Sequence, residues 1–242
     1  MKQDTHKENY RVVIVDADFY ARHALNAYLA WDRRTRVIGC FARLPDLQRY
    51  LETLPDHEHP DVILVDGKLL PSAEDTQREI ATIRQHSAAR LLVLAHTARP
   101  EIAEAAHTAG AQGYLLRDDV GLHVSWLIVW ANDYDFVVSP QTAAIFPEAA
   151  VLPEGRTYPD LTNRVRQALM LCVVEGMSAE LAADEMGLSP HTIRTYIKEG
   201  YSILEAADEI DFPAALSPQE KAFMRFTALA LNDEYDLPDE DG

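Results

Sequence analysis

The chain has 242 residues, of which 48% are hydrophobic and 25% are charged, and its formal net charge is −17. This composition excludes a chain that is disordered throughout, because enough apolar side chains are present to bury a core. The acidic total also excludes a uniformly basic nucleic-acid-binding surface, since neutralising phosphates takes Lys and Arg.

The first residues and the most apolar run indicate the compartment. Residues 1–10 are polar and mixed in charge, which predicts a flexible arm and no secretory signal. The most apolar run, 120–131, is too short to span a bilayer. Cys40 and Cys172 match no metal-ligand spacing, so we interpret them as free thiols in a reducing cytosol. We therefore expect a cytoplasmic protein without a membrane partner.

Residues 11–138 alternate short apolar runs with stretches of helical spacing. The apolar runs predict strands at 11–15, 36–41, 62–65, 91–94 and 112–116. The intervening stretches predict helices at 20–31, 44–54, 73–85, 101–109 and 120–131. Continuous apolar runs are typical of parallel strands that are buried on both faces. We therefore predict an α/β doubly wound parallel five-stranded sheet, with the functional residues just beyond the carboxyl ends of its strands.

The second half of the chain changes character after a connector. Residues 139–160 predict a linker, which begins with a short helix capped by Ser139 and Pro140 and is then interrupted by prolines. From residue 161 the spacing is helical, with helices predicted at 162–175, at 178–186 and from Pro190 onward. The two short helices on either side of Gly187 predict a helix-turn-helix domain at 161–211.

The last residues, 212–242, predict an extra helix followed by an acidic tail. A capping box at Ser217 and Glu220 begins this helix, which is expected to run to about residue 231. Its apolar residues, Phe223 and Phe226 among them, are suited either to a dimer contact or to covering the core. The run 239–241 (DED) is interpreted as a solubilising tail.

Several stretches of the first half resemble the receiver domain of response regulators of the NarL/FixJ type. Residues 12–18 (VVIVDAD) resemble the first strand and its acidic turn, and residues 60–66 (PDVILVD) resemble the strand that presents the phosphoacceptor aspartate. Residues 109–117 (AGAQGYLLR) resemble the end of the fifth strand, and residues 138–140 (VSP) the exit from the domain. The resemblance implies a receiver-like domain at 11–138.

The resemblance makes Asp66 the phosphoacceptor candidate. Phosphoryl transfer to an aspartate in this family needs a divalent metal, held by carboxylates. The family's two adjacent acids fall on Asp16 and Ala17 here, and Asp18 comes one residue late. Asp16 and Asp66 are therefore the candidate ligands of a Mg²⁺ ion, within an incomplete set.

The other pocket positions also depart from the family. The hydroxyl that senses the phosphoryl group falls on Ala95, which has none, and the family's Lys falls on Arg117, which keeps a charge but not a compact ammonium. Pro71 lies one residue farther from Asp66 than usual, and Tyr114 matches the family's aromatic position. We predict a pseudo-receiver with no catalytic residue and no required cofactor.

Other interpretations of these positions stay open. Asp18 and Asp66 are able to hold a metal together, which would preserve conventional phosphorylation. Asp66 by itself would be an ordinary acid at a strand end, Tyr114 a plain half-buried aromatic residue, and His96 a structural histidine.

A second resemblance lies in the helical half. Residues 161–164 (LTNR), 176–178 (GMS) and 186–196 (MGLSPHTIRTY) resemble the LuxR-type DNA-binding domain. On the third helix, one face is apolar and is expected to pack inward, and it consists of Ile193, Ile197, Tyr201 and Leu204. The opposite stripe consists of His191, Arg194, Thr195 and Lys198.

The resemblance implies that this stripe contacts double-stranded DNA. Arg194 is assigned to a base or phosphate, and Thr192, Thr195 and Lys198 to the DNA backbone. His191 is a further DNA-binding candidate on the same stripe. A solvated helix face is the alternative interpretation of the same residues.

The helical half departs from its family in composition. Val165 replaces a Glu, Gly200 lies inside the third helix, and Glu199 and Glu205 lie where a basic end would favour phosphate binding. No segment is basic, because residues 11–138, 160–211 and 212–242 have net charges of −5, −6 and −5. We therefore expect a homodimer that reads two half-sites about one DNA turn, or about 10 bp, apart.

The function predicted from these observations is a DNA-binding transcription regulator, not an enzyme. Its receiver-like domain would control dimerisation or DNA binding, through a partner protein or a small-molecule ligand rather than through phosphorylation. Two alternatives remain, a conventional phosphorylated response regulator of a two-component system, and a protein-interaction module without DNA binding.

Overall fold

The computed structural model describes residues 9–207, 212 and 215–230. The chain divides into two compact units, Met1–Leu152 and Pro153–Gly242. Most of the predicted flexible arm, the end of the predicted extra helix and the acidic tail, with its run 239–241, lie outside the described residues. Within the described ranges, no helix is long and apolar enough to cross a membrane.

The first unit is built on a parallel sheet. Its strands are β1 Tyr10–Val15, β2 Thr35–Phe41, β3 Val62–Asp66, β4 Arg90–Ala95, β5 Gly113–Leu116, β6 Val137–Val138 and β7 Ala150–Val151. The spatial order is β2-β1-β3-β4-β5-β6-β7. The first five strands follow the 2-1-3-4-5 order of flavodoxin-like folds. This confirms the doubly wound parallel fold, and two short strands extend the sheet beyond the predicted five.

Helices cover both faces of this sheet. They are α1 Phe19–Trp31, α2 Leu44–Thr53, α3 Ala73–His86, α4 Pro100–Thr108, α5 Arg117–Val120 and α6 Val124–Ala131. Short 3-10 helices occur at Asp56–Glu58, Gly67–Leu69, Gly121–His123 and Pro140–Ile145. Alternate strand residues such as Val13, Ile63 and Val93 form one core with α2, α3 and α4. Their neighbours, including Val12 and Ile14, are equally buried, as a parallel sheet with two covered faces requires.

The helix predicted at 120–131 is broken in the structure. Gly121 has φ of 43° and ψ of −122°, and it follows the last residue of α5. Residues that carry a side chain rarely adopt a positive φ, whereas glycine does so at little cost. The chain therefore forms α5, a 3-10 turn and then α6, and the prediction of one continuous helix was wrong.

Residues 139–152, predicted as the beginning of a linker, are part of the first unit. The Ser139 hydroxyl accepts a hydrogen bond from the Leu116 backbone N–H at 2.8 Å. The ring of Phe146 packs against Phe136, with 4.9 Å between the ring centroids. These contacts and the β6–β7 pairing attach the segment to the edge of the sheet.

The second unit is helical. Its helices are α7 Asn163–Leu169, α8 Ala179–Met186, α9 Pro190–Ala206 and α10 Pro218–Phe226, with a π-helical turn at Met170–Val174. Gly187 ends α8 in the left-handed conformation and Ser189 caps α9, as the sequence predicts for a helix-turn-helix. The capping box at Ser217 is present, but α10 ends at Phe226 and Leu229 bridges to Gly155, so this helix is shorter than predicted.

Gly200 allows α9 to pack closely against α7. A Cβ atom at position 200 would lie 2.8 to 2.9 Å from three side-chain carbons of Leu169, which is itself fully buried. This contact explains why a glycine, which costs about 1 kcal/mol relative to alanine inside a helix, occupies this position.

We expect Gly200→Val to lower the free energy of unfolding by about 2 kcal/mol, because overpacking a tight contact displaces both helices. Urea unfolding of the full chain, followed by circular dichroism, measures this loss. Ser202→Val, on the exposed side of the same helix, is the matched control and should change stability by less than about 0.5 kcal/mol. Equal losses in the two variants would contradict the packing explanation.

Candidate functional site

The carboxyl ends of β1, β3 and β5 bring an acidic pair and an arginine together. Asp16 follows β1, Asp66 ends β3, and Arg117 follows β5. β1 pairs with β3 in parallel, so the two aspartates lie at the same edge of the sheet. Asp16 is 1% exposed and Asp66 is 2% exposed. Burying two carboxylates side by side is costly unless a nearby cation or hydrogen-bond donors compensate them.

Arg117 supplies that cation from within the chain. Its Nη2 atom is in direct contact with Asp16 Oδ2 and lies 3.1 Å from Asp66 Oδ1. One guanidinium group therefore bridges both carboxylates through charge-assisted contacts. Asp66 Oδ1 also accepts a hydrogen bond from the Lys68 backbone N–H at 3.2 Å, while Asp66 Oδ2 is buried without a hydrogen-bond partner among the described residues.

Asp18 is directed to the adjacent helix. Its carboxylate accepts a hydrogen bond from the Ala21 backbone N–H at 3.0 Å and so caps α1. This hydrogen bond lowers the pKa of Asp18 below its ordinary value. The Asp18 backbone N–H donates in turn to Asp16 Oδ1 at 2.8 Å. The Asp18 backbone N–H therefore orients the Asp16 carboxylate, while the Asp18 carboxylate stabilises α1.

The end of β4 is tightly packed. Ala95 is 4% exposed. A Cβ atom on Gly67 would lie 3.0 Å from the Cα atom of Ala95 and 3.1 Å from its Cβ atom. The two chain segments thus approach each other through a methyl group and a glycine. His96 is at the rim, with Nε2 4.0 Å from Asp66 Oδ1 and a side chain that is 47% exposed.

Tyr114 lies inside the core of the first unit. It is 1% exposed, and its hydroxyl donates a hydrogen bond to the Thr97 backbone oxygen at 3.2 Å. Burial raises the pKa of Tyr114 above its ordinary value. The side chain is therefore fully buried rather than half-buried, with its hydroxyl satisfied by the Thr97 backbone oxygen.

The donor set of this pocket does not fit a divalent metal ion. Mg²⁺ takes oxygen ligands in near-octahedral geometry. Both Asp16 and Asp66 already contact the Arg117 guanidinium, and Ala17 brings no oxygen ligand from its side chain. Over the residues that the structure describes, no group of three or more His, Cys, Asp or Glu side chains is placed to hold a metal.

The second candidate site is the outer face of α9. The side chains of His191, Arg194, Thr195 and Lys198 are all exposed. Ile193 and Leu204, on the opposite side of the helix, are fully buried. Thr192 is half-buried, and its hydroxyl lies 2.8 Å from the hydroxyl of the capping Ser189. The structure therefore brings the predicted stripe together on one surface, with Thr192 at its edge.

Arg194 is paired with a carboxylate of the same unit. Its Nη2 atom contacts Glu180 Oε1, and both side chains are more than half exposed. The Glu180 backbone N–H and the Ser178 hydroxyl lower the pKa of Glu180, and Arg194 lowers it further. Lys198, by contrast, has no carboxylate within 4.0 Å in the described part of the chain. An exposed ion pair is worth at most about 1 kcal/mol, so a phosphate can compete for Arg194.

Glu180 is a residue of this site that the sequence did not reveal. It lies in the first turn of α8, whereas its partner Arg194 lies on α9. No periodicity within one helix predicts a contact between two helices. The only signal was the general excess of acidic residues in the helical half.

Comparisons with known proteins agree with this arrangement. The family Sigma-70, region 4 matches residues 159–204, which include α7, α8 and all but the last two residues of α9. A "Probable transcriptional regulatory protein NarL" of Mycobacterium tuberculosis is 25% identical over 201 residues, which cover 83% of this chain and 90% of the relative. The same protein from a second strain matches equally. These matches confirm the predicted resemblance to regulators of the NarL type.

Solved structures with a similar fold include the response regulator RcsB of Salmonella. Its isolated REC domain in the apo form, from Salmonella enterica serovar Typhimurium, is 18% identical, with a TM-score of 0.49, and the match covers 57% of this chain and 99% of that one. RcsB bound to the promoter rprA is 17% identical, with a TM-score of 0.44, and the match covers 83% of this chain and 95% of that one.

Proposed function

Proceeding from the resemblance of this chain to NarL/FixJ-type response regulators, we propose that it is a DNA-binding transcription regulator whose receiver-like unit works without phosphorylation. The first unit would control dimerisation or DNA binding, and the helix-turn-helix of the second unit would contact the double helix. The input would be a partner protein or a small-molecule ligand at the receiver.

The bridge from Arg117 to Asp16 and Asp66 carries this proposal. A phosphorylated receiver needs its acidic pair to be free for a divalent cation that neutralises the incoming phosphoryl group. Here a guanidinium group, tethered to the chain, already contacts one oxygen of each carboxylate and compensates part of their charge. Because the guanidinium occupies oxygens that a divalent cation would need, Asp66 would lack the metal that neutralises the incoming phosphoryl group.

Ala95 supports the same conclusion. It is the position at which the family's hydroxyl would report a phosphoryl group to the rest of the domain. Its side chain is a methyl group, which lies close to Gly67 and can neither donate nor accept a hydrogen bond. A phosphoryl group on Asp66 would therefore lack this coupling to the outer surface.

The outer face of α9 supports the DNA-binding part of the proposal. Two cations and two further polar side chains lie on one exposed helix face. Helix-turn-helix proteins place such a face in the major groove, where cations contact phosphates and base edges. The acidic surroundings, of which Glu180 is one contact, limit the affinity of one copy. A homodimer that reads two half-sites would compensate for this weakness.

Incubation of the full chain with a small phosphodonor and Mg²⁺ tests the receiver part of the proposal. We expect the intact mass to stay unchanged and the affinity for target DNA to be the same before and after treatment. Asp66→Ala serves as the control for phosphorylation at other residues. An added phosphoryl mass that is absent in Asp66→Ala would show a conventional receiver and would overturn the proposal.

A protein-interaction module is the second candidate function. It is favoured by the net charge of −6 over residues 160–211 and by the Glu180–Arg194 pair, which occupies one of the two cations of the stripe. Screening falls with ionic strength, so any electrostatic attraction to DNA is strongest at low salt. Absence of binding to any duplex at low salt would favour this second function.

A further inference from the structure

An open cavity of about 930 Å³ lies near the amino ends of the strands, whereas the acidic pocket lies at their carboxyl ends. Its walls include Tyr10 at the beginning of β1, Asp61 just before β3, and Arg90 at the beginning of β4. Arg84 and His86 from the end of α3 also line it. Its volume lies within the range of about 300–1,000 Å³ that is typical of small-molecule sites.

Two arginines of this cavity have no counter-charge in direct contact. Neither Arg84 nor Arg90 has a carboxylate within 4.0 Å among the residues that the structure describes. Arg84 donates instead to the backbone oxygens of Gly110 and Ala89 and to the Gln112 side chain. These bonds satisfy part of the guanidinium donors, but neutral acceptors supply no counter-charge in direct contact.

The hydrogen-bonding capacity of both groups is also incomplete. A guanidinium group carries five N–H donors. Within the described ranges, the Arg90 guanidinium donates only to the backbone oxygens of Tyr134, at 2.8 Å, and Asn132, at 3.4 Å. Burial lowers the pKa of both Arg84 and Arg90, and the charge of Arg90 lowers the pKa of Arg84 further. The two cations are thus partly desolvated and repel each other, and a bound anion would relieve both costs.

Tyr10 forms part of the cavity wall but not of its accessible polar surface. It is 4% exposed, and its hydroxyl, which has no hydrogen-bond partner among the described residues, is itself closed to solvent. Burial raises the pKa of Tyr10, the charges of Asp133 and Asp61 raise it further, and the charge of Arg90 lowers it. The two guanidinium groups are therefore the anion-binding groups of the cavity.

We propose that this cavity binds a small polyanion that bears phosphate or carboxylate groups, held by Arg84 and Arg90. Planar guanidinium groups match the geometry of both kinds of anion. The site belongs to the first unit alone and is separate from the acidic pocket and from α9. It does not depend on the absence of phosphorylation or on DNA binding.

The acidic groups around the cavity set its selectivity. Asp61 pairs with Arg11, and Glu52 lies 3.6 Å from His86 Nε2. Asp133 and Asp135 act on Arg90 from beyond ion-pair distance. The cationic part of the wall is therefore confined to Arg84 and Arg90, which favours a compact anion over a long polymer such as a nucleic acid.

Inorganic pyrophosphate and citrate are the two probes, titrated into the full chain by calorimetry at constant ionic strength. We expect at least one of them to bind with a dissociation constant below about 1 mM, and Arg90→Gln to weaken that binding at least about tenfold. Binding of pyrophosphate alone indicates a phosphate ligand, and binding of citrate alone indicates a carboxylate ligand. Arg78→Gln, which removes an exposed charge from α3, is the matched control and should bind as the wild type does.

Tyr10→Phe is a second control in the wall of the cavity. Removing a buried hydroxyl that is unpaired among the described residues and closed to solvent should keep or raise the stability of the free protein and change the affinity for the anion by less than about twofold. If neither probe binds at about 10 mM, or if Arg90→Gln binds as tightly as Arg78→Gln, the proposed site is wrong. DNA binding and phosphorylation are measured in separate experiments, and their results do not depend on whether the anion binds.

Discussion

Arg117→Gln is expected to lower the free energy of unfolding by about 3 kcal/mol, because it leaves two buried carboxylates without their cation. The expectation follows from the exposure of the partners, which is 1% for each aspartate side chain and 16% for Arg117. Glutamine retains much of the length of the arginine side chain and some of its hydrogen bonding. The loss of stability therefore reports mainly the removal of the Arg117 charge. Urea unfolding of the full chain measures it.

A double-mutant cycle with Asp66→Asn makes this prediction specific. In the Arg117→Gln background, Asp66→Asn should restore part of the lost stability, since it removes one of the unpaired charges. Arg99→Gln is the matched control, because Arg99 pairs with Glu101 at the surface, where both side chains are well exposed. That control should cost less than about 1 kcal/mol. Similar losses for Arg117→Gln and Arg99→Gln would show that the bridge is not a buried ion pair in solution.

The double substitution Arg194→Ala and Lys198→Ala is expected to weaken DNA binding at least about tenfold, because both cations of the exposed stripe are removed. The dependence of affinity on salt should weaken as well, with a slope smaller by about 2 if both side chains neutralise phosphates. Fluorescence titration with a duplex selected from genomic DNA by the wild-type chain, at several salt concentrations, measures both quantities.

Two further variants show whether the stripe itself is responsible. Glu180→Gln should raise the affinity by a factor of about 2 to 5, since it frees Arg194 from an exposed ion pair and removes a negative charge. The control is Lys68→Ala combined with Arg78→Ala, two exposed positions of the first unit. It changes the net charge by the same amount as the Arg194 and Lys198 double variant, and it should leave DNA binding nearly unchanged. Undiminished binding by the Arg194 and Lys198 double variant would disprove the assignment of α9.

The elements of the first unit could be predicted well from local patterns. Buried parallel strands are continuous apolar runs. Each of the five predicted runs differs from the corresponding strand, β1 to β5, by no more than one residue at either end. Short strands such as β6 and β7 carry too few residues for a period to be visible. The break at Gly121 was missed for a related reason, because the apolar residues around it keep helical spacing while the backbone does not.

The candidate sites show a similar division. The ends of parallel strands lie at one edge of a sheet, so the sequence predicted that Asp16, Asp66 and Arg117 would be neighbours. It did not predict that Arg117 would contact both aspartates, because that depends on side-chain conformation across three strands. The cavity of Arg84 and Arg90 was missed altogether, since its walls come from the amino ends of strands and the end of α3, which carry no motif.

The sequence by itself determined the order of strands and helices, the doubly wound fold, the helix-turn-helix and the outward stripe of α9. These features arise from residues that are near one another in the chain, where hydrophobic periodicity and capping act directly. Only the tertiary structure decided which charges meet, as with Arg117 and its two aspartates or Arg194 and Glu180. Such pairs join residues up to 101 positions apart, and the packing of whole elements, rather than any local pattern, sets the distance between them.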